Sequence, residues 1–333
     1  MYKSNFQKGE PTIRRTNDPF NASEDVQALR AAMKGLGTNE TVIRQILTRR
    51  TNKQRLEILE KYPIELNRDL LSDLKSELSG DFEDLVKALM KSPVDFMCSE
   101  IHRALTGLMF DANTLTEILV TKTNAEIKEI VQNYETLYKR PLVEHALDVT
   151  KGDYRRLVTL ILTGTRDPPG KVNPEKAKEL SKELYIAGEG KLGTDEAEFV
   201  KVFGHQSYEQ LALVFESYKV EKGRTIEQAL KAELSGELLD LTLAIVECIH
   251  NPVSYFAKQL YRAMKGLGTD KQTLIRIIVS RSEIDLGNIK KEYERLFNKT
   301  LESHVKSETS GDFKRALINL IRGNEEPITP ETK

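Results

Sequence analysis

Met33-Lys-Gly-Leu-Gly-Thr38 recurs unchanged as Met264-Lys-Gly-Leu-Gly-Thr269, and two altered copies lie between them. The first altered copy reads Leu105-Thr-Gly-Leu-Met-Phe110, and the second reads Gly188-Glu-Gly-Lys-Leu-Gly-Thr194. A second phrase follows each one: Glu77-Leu-Ser-Gly80, Val149-Thr-Lys-Gly152, Glu233-Leu-Ser-Gly236 and Glu308-Thr-Ser-Gly311. The two phrases keep a fixed distance. Gly35 to Glu77, Gly107 to Val149, Lys191 to Glu233 and Gly266 to Glu308 are each 42 residues apart. Four equal offsets in one chain define an internal repeat, with copies beginning 72, 84 and 75 residues apart. Units of this size hold a small core of their own and lean on their neighbours.

Inside a unit the apolar period is helical. Val26, Leu29 and Met33 share one face of a helix that runs into the glycine phrase. Val42, Ile43, Ile46 and Leu47 follow in a second helix, for which Thr38 is the expected N-cap. A short helix is expected around Gln54 to Glu60. Leu66, Leu70, Leu74 and Leu78 mark a later one, and Phe82, Leu85, Val86 and Leu89 the last. No β alternation is present. The predicted fold class is all-α, four homologous repeats of about five helices each. The boundaries are a tail over 1–19, repeats over 20–91 and 92–163, a linker over 164–174, repeats over 175–250 and 251–323, and a tail over 324–333. The longest gap holds the turn-rich Thr163-Gly-Thr-Arg-Asp-Pro-Pro-Gly-Lys-Val172 and reads as a linker between two halves.

Composition narrows the function. In 333 residues, 50 Lys and Arg stand against 51 Asp and Glu, a balance that disfavours nucleic acid as a partner. Cys98 and Cys248 are too few for a disulfide framework and read as reduced thiols, which fits a cytoplasmic setting. Met1 to Phe20 is polar and is not expected to be a signal peptide, and no run of about 18 apolar residues could span a bilayer. Any membrane contact is therefore expected to be peripheral.

Catalytic patterns fail one by one. Gly188-Glu-Gly190-Lys-Leu-Gly193 matches the dinucleotide pattern, but Ala177 to Ile186 before it looks helical where a strand is needed. Gly164 to Lys171 has five residues between its glycines where a phosphate loop needs four, and Pro168-Pro169 removes backbone donors. His102, His145, His205, His250 and His304 are read as occupying no shared repeat position, which argues against ligation. The chain is not expected to be an enzyme.

The glycine phrase and the distant acid suggest other chemistry. A helix C-terminus carries unpaired carbonyls and partial negative charge. Glycines beyond it permit positive φ, so successive carbonyls can turn toward one point. A glutamate brought in by folding completes a cluster of hard oxygens. Calcium accepts roughly six to eight such ligands in flexible geometry, which leaves positions open for water or another molecule's oxygen. A lone copy would be read as a capping turn beside a solvated charge. Three copies with the acid at one offset favour a binding site, because a turn has no use for a glutamate 42 residues away.

The loop, its Glu-Leu-Ser-Gly partner and the four units with a longer central gap resemble the annexin family over residues 20 to 322. The resemblance implies a curved disc of four five-helix repeats that binds Ca2+ and, through it, acidic phospholipid membrane of phosphatidylserine type. It implies carbonyl ligands from Met33, Gly35 and Gly37 with Glu77, and from Met264, Gly266 and Gly268 with Glu308. In the third repeat the set is Gly188, Lys191 and Gly193 with Glu233. An accessory site pairs Thr38 with Glu40 and Thr194 with Glu196, while Lys271 spoils it in the fourth repeat. The second repeat departs from the pattern at Met109, Phe110 and Val149, so its site is expected to be dead, with Asp148 pointing elsewhere. Lys34 and Lys265 would favour an anionic surface by about 1 kcal/mol each, and Leu36, Leu192 and Leu267 either dip into it or pack on their own helices. Tyr2, Ser4, Thr12 and Thr16 in the tail are modifiable hydroxyls. Two other readings stay open: a helical protein-interaction scaffold, and a membrane-associated ion-conducting assembly. Glu100, Lys122, Arg276 and Asp285 match positions the family links to conduction. Protein partners are not specified, and self-association on membranes is compatible with the pattern.

Overall fold

The structure is a computed structural model, and it describes residues 9–15, 19–35, 37–190 and 192–325. Among the described residues there are 20 α-helices and no β-strand. Repeat 1 contains α1 (Ala22–Ala32), α2 (Glu40–Arg49), α3 (Asn52–Leu66), α4 (Leu70–Glu77) and α5 (Gly80–Leu89). Repeat 2 contains α6 (Pro93–Thr106), α7 (Ala112–Val120), α8 (Asn124–Tyr138), α9 (Leu142–Val149) and α10 (Gly152–Leu162). Repeat 3 contains α11 (Pro174–Ala187), α12 (Glu196–His205), α13 (Tyr208–Lys222), α14 (Ile226–Glu233) and α15 (Gly236–His250). Repeat 4 contains α16 (Pro252–Met264), α17 (Lys271–Arg281), α18 (Leu286–Phe297), α19 (Leu301–Glu308) and α20 (Gly311–Arg322).

Local chemistry sets most boundaries, and it corrects three expectations. The N-cap of α2 is Asn39, whose side chain accepts from the Val42 N–H; Thr38 spends its hydroxyl elsewhere. The third helix is much longer than Gln54 to Glu60. It starts at a Thr51–Gln54 capping box and passes through Pro63. It stops where Asn67 turns left-handed at φ 51°, its N–H donating to the Pro63 carbonyl at 2.9 Å. Leu66 therefore belongs to α3, and the fourth helix starts afresh from the Asp69 cap.

The fourth helix places the conserved-offset residue. In each repeat it is eight residues long and buries a single stripe: Leu70 and Leu74, Leu142 and Ala146, Ile226 and Leu230, Leu301 and Val305. Each fully buried leucine or isoleucine contributes about 1.5–3 kcal/mol. Its last residue is Glu77, Val149, Glu233 or Glu308, half-buried each time. Three residues later Gly80, Gly152, Gly236 and Gly311 take φ of 60°, 56°, 58° and 62°, which explains the glycine of the second phrase. A side chain there would cost about 1–2 kcal/mol.

The chain forms two compact units, Met97–Tyr255 and the described parts of Phe6–Phe96 with Phe256–Lys333. Repeats 2 and 3 thus share one unit, and repeats 1 and 4 the other. This corrects the reading of 164–174 as a linker between halves. That stretch lies within the first unit and is pinned there. Arg166 donates to the carbonyls of Phe203 and Gln206 at 2.7 and 2.8 Å, and Asp167 N–H donates to the His205 carbonyl at 2.7 Å. The physical reason is reciprocal packing. In the first unit α7 lies on α15 and α12 on α10; in the second α2 lies on α20 and α17 on α5. Each repeat's second helix covers its partner's fifth.

Arg55, 1% exposed, ties the second unit together. It donates to the Leu89 carbonyl at 2.7 Å and the Leu47 carbonyl at 3.2 Å, and pairs with Glu283 at 3.1 Å. Burial pulls this guanidinium down to about 10, with Glu283 opposing. The segment 9–15 lies in the same unit. Thr12 and Ile13 N–H groups donate to the Ser282 carbonyl, and the Thr12 hydroxyl donates to the Leu320 carbonyl at 2.7 Å. Thr12 is buried and so is closed to modification while the segment stays docked. Tyr2, Ser4 and Thr16 lie outside the described residues.

Candidate metal centres

The first loop begins where α1 ends. Met33 buries its side chain to 4% exposure and so anchors the loop's first carbonyl to the core. Gly35 and Gly37 then take φ of 112° and 85°, and Asn39 N–H closes the loop on the Ala32 carbonyl at 2.9 Å. Repeat 4 reproduces this nearly to the degree. Met264 is 2% exposed, Gly266 and Gly268 take 112° and 87°, and Asp270 N–H meets the Ala263 carbonyl at 2.8 Å. No side chain but glycine adopts these angles without strain.

Repeat 3 reaches the same end with one more residue. Asp195 N–H closes on the Ala187 carbonyl at 2.7 Å, and Gly193 takes φ 85°. Glu189 faces away, accepting from the Tyr218 hydroxyl at 2.7 Å and pairing with Arg224. Gly188 lies against the acid of its own repeat: a Cβ on it would meet Glu233 Cγ at 2.7 Å. The structure therefore brings Gly188 and Glu233 together, whereas Lys191 and Leu36 lie outside the described residues.

The acids arrive differently in the three repeats. Thr38 Oγ1 donates to Glu77 Oε2 at 2.6 Å, and Thr194 Oγ1 to Glu233 Oε2 at 2.6 Å, each across 39 residues. In repeat 4 the Thr269 hydroxyl instead donates to the Glu308 main-chain carbonyl at 3.2 Å, and Ser307 Oγ donates to Glu308 Oε1 at 3.3 Å. Sequence reading missed the threonine clamp, although threonine ends three of the four loops. Glu40 and Glu196 open α2 and α12, two residues beyond Thr38 and Thr194. Lys271, in the matching place in repeat 4, pairs with Asp81.

Repeat 2 keeps the frame and loses the chemistry. Asp111 N–H closes on the Ala104 carbonyl at 3.0 Å, as in the other repeats. Met109 stands where Gly37 does and is not left-handed. The Phe110 ring, in place of the threonine, lies 6.1 Å from the Tyr154 ring, and Val149 ends the fourth helix. Asp148 pairs with Arg140. Tyr154, nearly enclosed, has its phenol pushed up by burial.

Among the described residues no three His, Cys, Asp or Glu side chains gather as a metal cluster. The loops of repeats 1, 3 and 4 each offer one fourth-helix carboxylate plus main-chain carbonyls, a donor set made of hard oxygens alone, which suits calcium and gives a soft or nitrogen-seeking metal nothing to hold. The expectation that the histidines share no repeat position is wrong. His145 and His304 both sit fourth in the fourth helix, accepting or donating to Tyr134 at 2.7 Å and Tyr293 at 2.5 Å. Repeat 1 has Asp73 in that place, 2.8 Å from Tyr62. The signal was there, a tyrosine eleven residues upstream in each case. These groups brace the third helix against the fourth. The four charges set aside for conduction also have neighbours close in sequence: Glu100 with Arg103, Lys122 with Glu126, Asp285 with Arg281, and Arg276 with Thr273.

Four five-helix repeats, three with a glycine-turned loop facing a fourth-helix glutamate, define a repeat-built protein with carbonyl–carboxylate loops. The annexin family profile matches residues 24–89, 96–161, 181–245 and 255–320. The chain belongs to the annexin family, which is known for calcium-dependent phospholipid binding. It is 53% identical to annexin B10 of Drosophila melanogaster over 316 residues, covering 94% of this chain and 98% of that one. It is 43% identical to annexin A5 of Bos taurus, covering 92% and 96%. Among solved structures, annexin III matches with TM-score 0.92 at 39% identity, covering 96% of this chain and 99% of that one. The calcium-bound annexin (Sm)1 matches with TM-score 0.82 at 32% identity, covering 95% and 94%.

Proposed function

We propose that this protein binds acidic phospholipid surfaces reversibly through calcium held at repeats 1, 3 and 4. The ligands are the carbonyls of Met33, Gly35 and Gly37 with Glu77, of Met264, Gly266 and Gly268 with Glu308, and of Gly188, Lys191 and Gly193 with Glu233. Thr38 with Glu40 and Thr194 with Glu196 form weaker accessory positions. The observation that carries this reading is the pairing of left-handed loop glycines with a fourth-helix glutamate, joined by a threonine hydroxyl at 2.6 Å in two separate repeats.

Calcium, when bound, supplies the positive charge that a lipid phosphate oxygen completes. Everything else is done by the chain. In repeats 1 and 4 a buried methionine fixes where the loop starts; in all three the glycines aim the carbonyls and the eight-residue helix delivers the carboxylate. With one formal charge per site, affinity in free solution is weak, and lipid and calcium raise each other's binding by linkage. Lys34 and Lys265, both exposed beside their loops, add attraction to an anionic surface. Among the described residues no helix is long and apolar enough to cross a membrane, and the attachment we propose is peripheral.

The test is co-sedimentation with phosphatidylserine vesicles across a calcium titration. Protein should pellet with calcium and return to the supernatant with chelator. Equal pelleting in chelator, or none at millimolar calcium, defeats the proposal.

A further inference from the structure

The repeat-2 loop has lost the second glycine, the threonine and the acid of the other repeats, and the residues at its tip are neither polar nor hidden. Leu108 is 109% exposed and Met109 is 84% exposed, side by side at the loop tip. Leu108 is the repeat's counterpart of Leu192 and Leu267, which are 105% and 109% exposed. Met109 is the residue that displaced the left-handed glycine. One substitution therefore removed a ligand turn and added an apolar side chain at the same point.

The rest of the loop follows suit. Thr106-Gly107-Leu108-Met109-Phe110 carries no charge, whereas the corresponding stretches include Lys34, Lys265 and Glu189. Below the tip, Phe110 packs near Tyr154, and Val149 stands where the acid does elsewhere. The tip is held by the Asp111–Ala104 closure at 3.0 Å and by the Asp111 side chain capping Thr114 N–H at 3.0 Å. Two large apolar side chains on a braced, uncharged loop are costly to leave in water, about 1.5–3 kcal/mol each relative to burial.

Within the unit of repeats 2 and 3, this tip lies at the same end as the repeat-3 loop. Helices α10 and α12 run parallel. Ala197, at the start of α12, shares a cavity wall with Arg155 and Arg156 at the start of α10. A Cβ on Gly204, near the end of α12, would meet Leu160 near the end of α10. The start of α12 follows the repeat-3 loop, and the start of α10 carries Tyr154, the contact of the repeat-2 loop. Whatever surface the repeat-3 loop meets lies on the side from which Leu108 and Met109 project.

We infer that Leu108 and Met109 form a calcium-independent apolar anchor that enters the hydrocarbon edge of the bilayer once the neighbouring loops have docked. The anchor rests on the lipid-binding reading above and adds to it a distinct residue pair with a distinct chemistry. It replaces electrostatic bridging at repeat 2 by hydrophobic insertion.

The chain contains no tryptophan, so Met109→Trp places a sole indole reporter at the tip, and Leu192→Trp places one at the repeat-3 loop. The probe is phosphatidylserine–phosphatidylcholine vesicles whose phosphatidylcholine carries bromine on the acyl chain. With vesicles and calcium, Met109→Trp emission should move to the blue and be quenched by the brominated chains. The companion variant Leu108→Ser/Met109→Ser should leave the calcium midpoint nearly unchanged and release from vesicles at least about tenfold faster, and about a hundredfold faster if both side chains are fully buried in the bilayer. If Leu192→Trp responds while Met109→Trp keeps water-exposed emission in pelleted protein, the anchor is wrong and the calcium reading stands. Failure of both variants to pellet overturns the calcium reading and the anchor with it. A blue shift in calcium alone would assign the tip to a second copy of the chain, overturning the anchor.

Discussion

Repeats 1 and 2 are built on the same frame, yet only one pairs left-handed loop glycines with a fourth-helix glutamate. The frame is shared in detail: loop closure at 2.9 Å from Asn39 and 3.0 Å from Asp111, an eight-residue fourth helix, and a left-handed glycine starting the fifth. The first loop residue is buried in both, Met33 at 4% and Leu105 at 4% exposure. They part at Gly37 against Met109, Thr38 against Phe110, and Glu77 against Val149. The lesson is that binding chemistry and folding use different atoms of the same loop. Closure relies on a backbone N–H and carbonyl that any residue but proline supplies, whereas the proposed site relies on positive φ and one carboxylate.

The largest effect should come from making all three live repeats like repeat 2 in charge alone. Glu77→Gln, Glu233→Gln and Glu308→Gln together keep side-chain shape and remove each loop's formal charge. Calcium-dependent pelleting should vanish, or its midpoint rise by about a hundredfold or more, as expected when several weak contacts to one surface are lost at once. Helix content and unfolding in chelator should stay nearly constant. A folded triple variant that pellets at the original calcium midpoint would exclude these glutamates as ligands.

A direct exchange sharpens the comparison. Gly37→Met, Thr38→Phe and Glu77→Val should turn repeat 1 into a second dead repeat, with a severalfold higher calcium midpoint and one fewer calcium per chain by titration on vesicles. The reverse set, Met109→Gly, Phe110→Thr and Val149→Glu, should restore one. If the repaired repeat gains no calcium while its fold is intact, something beyond these three positions disables it.

The fourth helices should also separate with pH. Burial pushes the imidazoles of His145 and His304 below the ordinary value of 6.5, assisted by Arg140 and Lys299 respectively. The unfolded chain therefore binds more protons than the folded one as pH falls past that value. Stability from the neutral imidazoles is full above it and is lost progressively below it. Asp73, in the same place in repeat 1, is held below 3.8 by its hydrogen bonds from Arg68, against the opposing effect of burial. Its contribution persists until pH falls through its own lowered value. Denaturant unfolding between pH 7.5 and 5 should show a decline that His145→Gln with His304→Gln flattens and Asp73→Asn does not. An unchanged slope in the histidine variant would remove these groups as the cause.

The smallest effect tests the frame itself. Asn39→Ala and Asp111→Ala each delete a cap on the second helix, and each should cost about 1 kcal/mol. Repeat 2 should suffer as much as repeat 1, because its closure serves folding and not calcium. Only Asn39→Ala stands beside a live loop, so Asp111→Ala should leave the calcium midpoint in place.

Much of this was legible in the chain, because repeats and helices are local. The 42-residue offset, the 3.6-residue apolar period and the missing acid at Val149 are properties of sequence order. They suffice for an all-α, four-repeat protein with one repeat unlike the others. Three things were decided by tertiary structure. Thr38 has two acceptable partners, a nearby backbone N–H and a carboxylate 39 residues away, and only folding brings the second within 2.6 Å. The pairing of repeat 1 with 4 and of repeat 2 with 3 depends on which second helix fits which fifth, a complementarity between faces that no local period records. Leu108 and Leu105 are both leucines three residues apart, yet one is bare and the other is 4% exposed. An amino-acid type states what burial would be worth, and only the packing around a position determines whether it is buried.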